Sequence, residues 1–428
     1  MTAADGAEVR ANPVKAAGPN LLRPLRVRDF RLIFGGESIS VIGDYFHFVA
    51  LAWLTLQLTG SGLALGSVLM VAGIPRAVFI LLGGALSDRF SPRSLMLYSN
   101  AFRALVVAVL AVLVLTGRAE LWHLFVFAGI FGVVDALFYP AVNTILPMLV
   151  DEETLPPANA LMQGSQQLAG LIGPALAGIF IAAVQIGVAF VVDAVSFSIA
   201  ALALLFVAGG RRVVHADSDG PRPSLLGTIR DGFRFAWSDP AVRSLILLAA
   251  AFNFAFNGPL LVGLPFLADT SLGGGSATFG ILLSAFGAGS LVGAAGAGSI
   301  ARVPRLGTVV LGTAVGMGAA FGLLGLAPNV LTAGAILAAI GVGAGFLNVH
   351  IISWLQGRTA EEMRGRVMSM LMLGSIGLAP LSYALAGVII DLGAATLMFA
   401  VAGAIVATTA LIGFASGVAG RMTYAPEA

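Results

Sequence analysis

Long apolar runs, interrupted at fairly regular intervals by Gly, Pro and charged residues, dominate this chain. Twelve can be marked, near residues 32–58, 64–87, 94–116, 121–148, 158–182, 187–208, 243–268, 277–300, 306–327, 330–355, 367–390 and 395–417. A helix needs about 20 apolar residues to cross a bilayer core, so twelve crossings take about 240 positions. A backbone in lipid must satisfy its own hydrogen bonds, which predicts helices for these runs. The expected fold class is an all-α membrane protein with twelve transmembrane helices.

The polar stretches divide the chain further. Residues 1–31 form a polar, basic N-terminal arm, 32–208 the first six spans, 243–417 the second six and 418–428 a short tail. The linker 209–242 carries Arg211, Arg212, Arg222, Arg230 and Arg234 among Pro221, Pro223 and Pro240. The first apolar run is longer than a signal-peptide core and shows no evident cleavage site, so it reads as an uncleaved first span.

Composition agrees with this reading. Of 428 residues, 58% are hydrophobic and 10% charged, whereas soluble domains carry about 25% charged residues. Mean hydropathy is +0.97. The absence of cysteine excludes disulfides, thiolate chemistry and Cys-ligated metal sites. The net charge of +2 is a small excess confined to one side, a topology signal rather than a nucleic-acid footprint. Arg10, Lys15, Arg23, Arg26, Arg28, Arg31, Arg89, Arg93, the linker arginines, Arg302, Arg305, Arg358, Arg364, Arg366 and Arg421 all fall on that side. The opposite loops hold Arg118. The positive-inside rule then places both termini and the linker in the cytoplasm.

The chain also repeats itself. Gly84-Ala-Leu-Ser-Asp-Arg-Phe-Ser-Pro-Arg93 aligns with Gly296-Ala-Gly-Ser-Ile-Ala-Arg-Val-Pro-Arg305. Met162–Ala169 resembles Met372–Ala379, and Ala175-Leu-Ala-Gly178 matches Ala384-Leu-Ala-Gly387. Matches at nearly one period argue for two parallel six-helix halves, an arrangement that puts the substrate site at their interface near the bilayer midplane.

Residues 83–93, Gly-Gly-Ala-Leu-Ser-Asp-Arg-Phe-Ser-Pro-Arg, resemble the signature loop between the second and third helices of the major facilitator superfamily. The resemblance extends over about residues 28–417. Gly43-Asp44, Leu58-Thr59-Gly60-Ser61, Pro157-Ala158-Asn159-Ala160-Leu161 and Arg364-Gly365-Arg366-Val367 are similar to the branch containing macrolide-efflux and enterobactin-export proteins. The resemblance implies export, the major facilitator fold and a monomer in a bacterial inner membrane. It also implies a cytoplasmic latch in which Gly84 lies in the loop and Asp88 meets the N-terminus of the eleventh helix near Val367. Helix N-termini favour such a carboxylate. In the same latch Arg89 and Arg93 can pair with Asp151, Glu152 and Glu153. The second copy of the loop has Ile300 in place of Asp88, so a weak or missing counterpart is expected there. In the fifth span, Gly170, Gly173, Pro174 and Gly178 resemble a Gly-Pro motif of antiporters, with Ala169 and Ala177 where that motif has glycines. Physically, such residues permit close helix approach and a bend.

Charges at membrane depth mark function by default. The first span holds Glu37, Asp44 and His47, the second Arg76, the third Arg103 and the fourth Asp135. Spans seven to twelve offer chiefly Asn253, Asn257, Asn348 and His350 at depth. Burial favours the protonated form of a carboxyl group and a nearby arginine favours the ionised form, so a carboxylate between them can take up and release a proton. Asp44 and Asp135 are the expected proton sites, with Arg103 as counter-ion and Glu37 a further candidate. His47, Arg76, Asn253 and Asn257 are expected to line the cavity, the histidines as polar groups rather than metal ligands. Gly341-Val-Gly343-Ala-Gly345 and the glycines from Gly287 to Gly298 follow no strand, and no phosphate loop is present, so they read as close helix packing.

The function expected from sequence is proton-coupled export of a small amphipathic or hydrophobic organic molecule, driven by the proton gradient without a cofactor. The bilayer is its surroundings and nucleic acid is not a partner. Import or lipid translocation on the same fold is the alternative. No zinc, nucleophile–base or paired-acid constellation points to an enzyme.

Overall fold

The computed structural model describes residues 21–87, 90–209, 240–300, 305–359, 377–393 and 395–422, with single positions between them. Every regular element among these residues is helical. The long helices are α1 Arg28–Thr59, α2 Gly62–Ser87, α3 Pro92–Leu115, α4 Leu121–Ile145, α5 Leu155–Ala183, α6 Ile186–Leu205, α7 Pro240–Gly258, α8 Gly275–Ser299, α9 Leu306–Leu324, α10 Val330–Arg358, α11 Ala379–Asp391 and α12 Ala395–Ala415. Eleven helices among the described residues are long and apolar enough to span a membrane, and Ala379–Asp391 is a shorter apolar helix. The linker 210–233 and the latch residues Asp88 and Arg89 lie outside the described residues.

Local chemistry sets the helix ends. Gly60 stops α1 with a left-handed φ of 62° while its N–H reaches the Leu56 carbonyl. In the signature loop, the Ser91 side chain caps α3 by accepting from the Ser94 N–H, and Pro92 occupies the first turn, where a missing N–H costs nothing. The seventh span departs most from expectation. Beyond Gly258 it continues as π-helical turns at Pro259–Gly263 and Leu267–Ser271 around a short α-turn Leu264–Phe266. Pro259 and Pro265 each withdraw an N–H from the α-ladder, and wide π-turns are the local solution. The Ser382 hydroxyl supports this break, donating to the Phe254 carbonyl and accepting from the Gly258 N–H.

Packing repeats with a period of six helices. α1 packs on α5 and α6, α2 on α4, and α3 on α4 and α6. Adding six to each number gives the second set of pairs, α7 on α11 and α12, α8 on α10, and α9 on α10 and α12. Two further pairs, α2 with α11 and α5 with α8, join the two sets. Apolar lipid tails provide little drive for helices to associate, so close van der Waals packing does most of the work. Gly289 and Gly293 of α8 lie against the Ala338 and Val342 backbone, and Gly341 and Gly345 of α10 against Phe286 and Ser290. Of the glycines expected to serve close packing, Gly287, Gly289, Gly293, Gly341, Gly343 and Gly345 do so, whereas Gly296 and Gly298 face open space. Leu105, Val112, Leu202, Val292 and Leu411 point outward and are exposed, an apolar belt that makes this a multi-pass membrane protein.

Candidate functional site

The approach of α1 to α6 builds the first part of the site. A Cβ at Gly36 would crowd Ala200, and one at Gly43 would strike the Ser196 and Asp193 side chains. With no side chain at those positions the helices close up, and His47 Nδ1 comes within 3.1 Å of Asp193 Oδ2. Asp193 is completely buried. The imidazole stacks on Phe131, centroids 4.4 Å apart, and meets Phe190 edge-on. Asp193 is not among the charges singled out above, although it is the one charged residue of Ile186–Leu205.

On the neighbouring side, Arg103 of α3 donates to Asp135 Oδ1 at 3.3 Å and to Asn100 Oδ1 at 2.7 Å. Asn100 in turn donates to Glu37 Oε1 at 3.3 Å. The guanidinium is sandwiched by Phe138 and Phe197, 4.1 and 4.5 Å from the ring centroids. Asp44 is half-buried and lies within electrostatic reach of Arg103, Asp193, Asp135 and Glu37. Four carboxyl groups therefore share one guanidinium and one imidazole. The structure brings together Glu37, Asp44, Asp135 and Arg103, and adds Asn100 and Asp193.

An adjacent face of α1 borders a cavity of about 330 Å³ lined by Tyr45, Phe48, Gln167, Gly170, Leu260, Leu261, Leu283, Phe286, Gly287 and Ser290. Its wall is apolar and aromatic, with one amide and two hydroxyls, and it carries no charge. Leu260 and Leu261 come from the π-turn of the seventh span. His47, Arg76, Asn253 and Asn257, expected to line a cavity, do not form this wall. Arg76 lies over the Tyr139 ring at 5.9 Å. The Asn253 and Asn257 amides donate to the Ala249 and Asn253 carbonyls of their own helix.

Two seams of close backbone contact join the two sets of helices, and one of them borders this cavity through Gly170 and Gly287. In α5–α8, Gly178 meets Ser276 and Gly280, Gly280 meets Pro174, and Gly287 meets Gly170. The Ser276 hydroxyl donates to the Gly178 carbonyl at 3.1 Å and Ser284 Oγ accepts from the Ala175 N–H at 2.9 Å. Gly170 and Gly173 also make room for the Tyr45 ring. Thus Gly170, Gly173, Pro174 and Gly178 form a close-packed seam. It does not reach Gly164 or Gly296, where an added Cβ would meet nothing within 4 Å. In α2–α11, Gly62 meets Ile390 and Gly387, Gly66 the Tyr383 carbonyl, and Gly73 Pro380. Asp391 caps α2, accepting from Ser61 Oγ at 2.6 Å, Gly62 N at 2.6 Å and Leu63 N at 3.2 Å.

At the opposite end, Arg23 donates to Glu153 at 3.0 Å and Asp151 at 3.3 Å. Arg93 donates to the Leu205 carbonyl at 2.9 Å. Two of the three carboxylates expected to meet the signature loop, Asp151 and Glu153, are thus engaged by Arg23 of the N-terminal arm. The guanidinium of Arg23 is held above its ordinary value, by the hydrogen bond to Glu153 first and the charge of Asp151 next. Gly84 falls in the last turns of α2 and Val367 is buried.

Known proteins match this arrangement. The multidrug efflux pump Tap of Mycolicibacterium fortuitum is 27% identical over 84% of this chain and 88% of its own. Macrolide efflux protein A of Streptococcus pyogenes is 22% identical over 80% and 84%. The MFS-type transporter YfiS of Bacillus subtilis is 29% identical over 53% of each chain, so the match spans about half of that relative. The fold is that of a solved POT family transporter in complex with 5-aminolevulinic acid, with a TM-score of 0.74 at 14% identity over 93% and 97% of the two chains. Residues 20–422 match the family described as transmembrane secretion effector. The chain belongs to that family, within the major facilitator superfamily, and is a transporter rather than an enzyme.

Proposed function

We propose that this chain is a proton-coupled exporter, an antiporter that moves a small amphipathic or hydrophobic organic molecule out of a bacterial cell by alternating access. The cargo class is that of drugs or siderophore-like metabolites. In this reading twelve spans form two six-helix bundles, 32–208 and 243–417, joined by a cytoplasmic linker and rocking against each other in the inner membrane. Both termini are cytoplasmic. The protein works as a monomer, with the proton gradient as driving force and no cofactor.

One observation carries the reading. The uncharged aromatic cavity and the acid cluster lie on adjacent faces of a single helix, α1. Greasy walls with a few hydrogen-bonding groups suit a neutral, ring-bearing or weakly amphipathic cargo. Four carboxyl groups beside one arginine and one histidine leave acid in excess at membrane depth, and protons are the natural counter-charge. Asp44, half-buried, would exchange the proton, with Asp135 and Glu37 held by Arg103 and Asn100. The seams through Gly178 and Asp391 support an outward side closed in this state. Export is favoured by the relatives named for efflux.

The reading is tested by accumulation of ethidium and erythromycin in cells making the wild type or Asp44→Asn. Lower accumulation in the wild type, restored by a protonophore and missing in the variant, is expected. Higher accumulation in wild-type cells would instead indicate import.

A further inference from the structure

Asp44 and His47 are spaced i, i+3 on α1, and so are Tyr45 and Phe48. Residues at that spacing share a helix face, and the two pairs are offset by about 100°. Tyr45 and Phe48 line the cavity, while His47 faces Asp193. α1 is therefore the wall between cargo and acid cluster, and any shift of one face moves the other. The seam residues Gly170 and Gly173 press on the Tyr45 ring, which connects that wall to the α5–α8 closure.

We propose that His47 and Asp193 form the proton store of the transport cycle, with half-buried Asp44 as its connection to water. This rests on the proton-coupled reading above. The pair is enclosed by Phe131 and Phe190 and has no open route of its own, since Asp193 is wholly buried and His47 nearly so. Asp44, one turn away and half-buried, is the route. The step moves one proton and no electrons. An O–H bond on Asp44 breaks as an N–H bond forms on His47, leaving an Asp44 carboxylate and an imidazolium beside ionised Asp193. Return of the proton reverses it. Other charges act on this exchange from each neighbouring element, namely Glu37 of α1, Arg103 of α3 and Asp135 of α4. The α5 and α8 segments bring no charged side chain. Arg76 of α2 lies at Tyr139.

The inference separates two roles that one carboxylate would otherwise combine. Asp44 exchanges protons with water, and the buried pair decides which conformation α1 favours. Imidazole suits the task because one ring nitrogen can take up a proton while the other keeps its contact with Asp193.

The chain has no cysteine, so Val184→Cys and Leu331→Cys, both at exposed positions, supply clean spin-label sites at the end closed by the seams. In nanodiscs, the wide-separation population of the otherwise wild-type protein should change by roughly five-fold between about pH 6 and 8. His47→Gln or Asp193→Asn should reduce that change to less than about two-fold. Variants that keep the full response overturn the proton store alone. A wild type with no response overturns both this inference and the proton-coupled reading. If those variants do not fold, His123→Gln, His215→Gln and His350→Gln together leave His47 as the one histidine for ¹⁵N NMR. Its titration should follow the opening. An imidazole that stays neutral throughout overturns the proposal.

Discussion

The carboxylate of Asp391, at the last turn of α11, accepts the Gly62 N–H at the first turn of α2 from 2.6 Å away. Ser61 and Leu63 complete the cap. The first N–H groups of a helix have no partner in the helix itself, and here a helix packed from the other set of six satisfies them. The geometry is the counterpart of the latch expected from the signature loop, in which Asp88 after α2 meets the start of the eleventh helix. Antiparallel neighbours offer one such pairing at each end. Capping hydrogen bonds are worth about 0.5–2 kcal/mol. Asp391→Ala should weaken this closure and raise the population open at that end by about 2–30-fold, read by spin-label distances between Val184→Cys and Leu331→Cys.

The α5–α8 seam needs bare backbone at Gly178 and Gly280 but not at Gly164. Gly280→Val places a branched side chain against the Pro174 carbonyl and should cut transport at least about ten-fold with normal membrane insertion. Gly164→Val, on open space, should leave transport within about two-fold. Initial rates of ethidium efflux compare the two.

Arg103 is nearly inaccessible and holds Asp135 and Asn100 together between two aromatic rings. Removing one partner of a buried pair costs about 3–5 kcal/mol because the other charge is left uncompensated. Arg103→Ala should therefore lower thermal stability in detergent, and Arg103→Ala with Asp135→Asn should recover part of the loss. Size-exclusion peak area after heating gives the ranking.

Outside the membrane, Asp151 is held below its ordinary carboxylate value, first by its side-chain hydrogen bond from Thr154 and then by the Thr154 backbone, with Arg23 adding to it. A carboxylate lowered in the folded state contributes stability above its unfolded value, near 3.9, and loses it as pH falls through the folded value. The Arg23 clamp should therefore hold at neutral pH and release below about pH 4. Limited proteolysis of the N-terminal arm across that range reads it, and Asp151→Asn should shift the release toward neutral pH.

Much of the frame was legible because lipid enforces simple rules. Apolar length located the helices, and the expensive charges Glu37, Asp44, Arg103 and Asp135 do converge. Asp193 was legible by the same rule, as the lone charge of α6. Its partner was not, because meeting His47 depends on how closely Gly43 lets two helices approach. The cavity wall was hidden for a related reason. Helices apolar all round give no periodic signal of facing, so Gln167 and Ser290 do not stand out from other polar residues. Asn253 and Asn257 look like cavity groups in a string of letters, yet their amides turn back to their own helix. The π-turns after Gly258 were signalled by Pro259 and Pro265 as a break, but not as wide turns that carry Leu260 and Leu261 to the cavity.

The central claim is that cargo leaves as protons enter. Everted membrane vesicles with an established proton gradient and a fluorescent pH probe measure this directly. Addition of erythromycin or ethidium should trigger proton efflux from vesicles holding the wild type and none from those holding Asp44→Asn. Cargo uptake into wild-type vesicles with no accompanying proton movement would contradict the account.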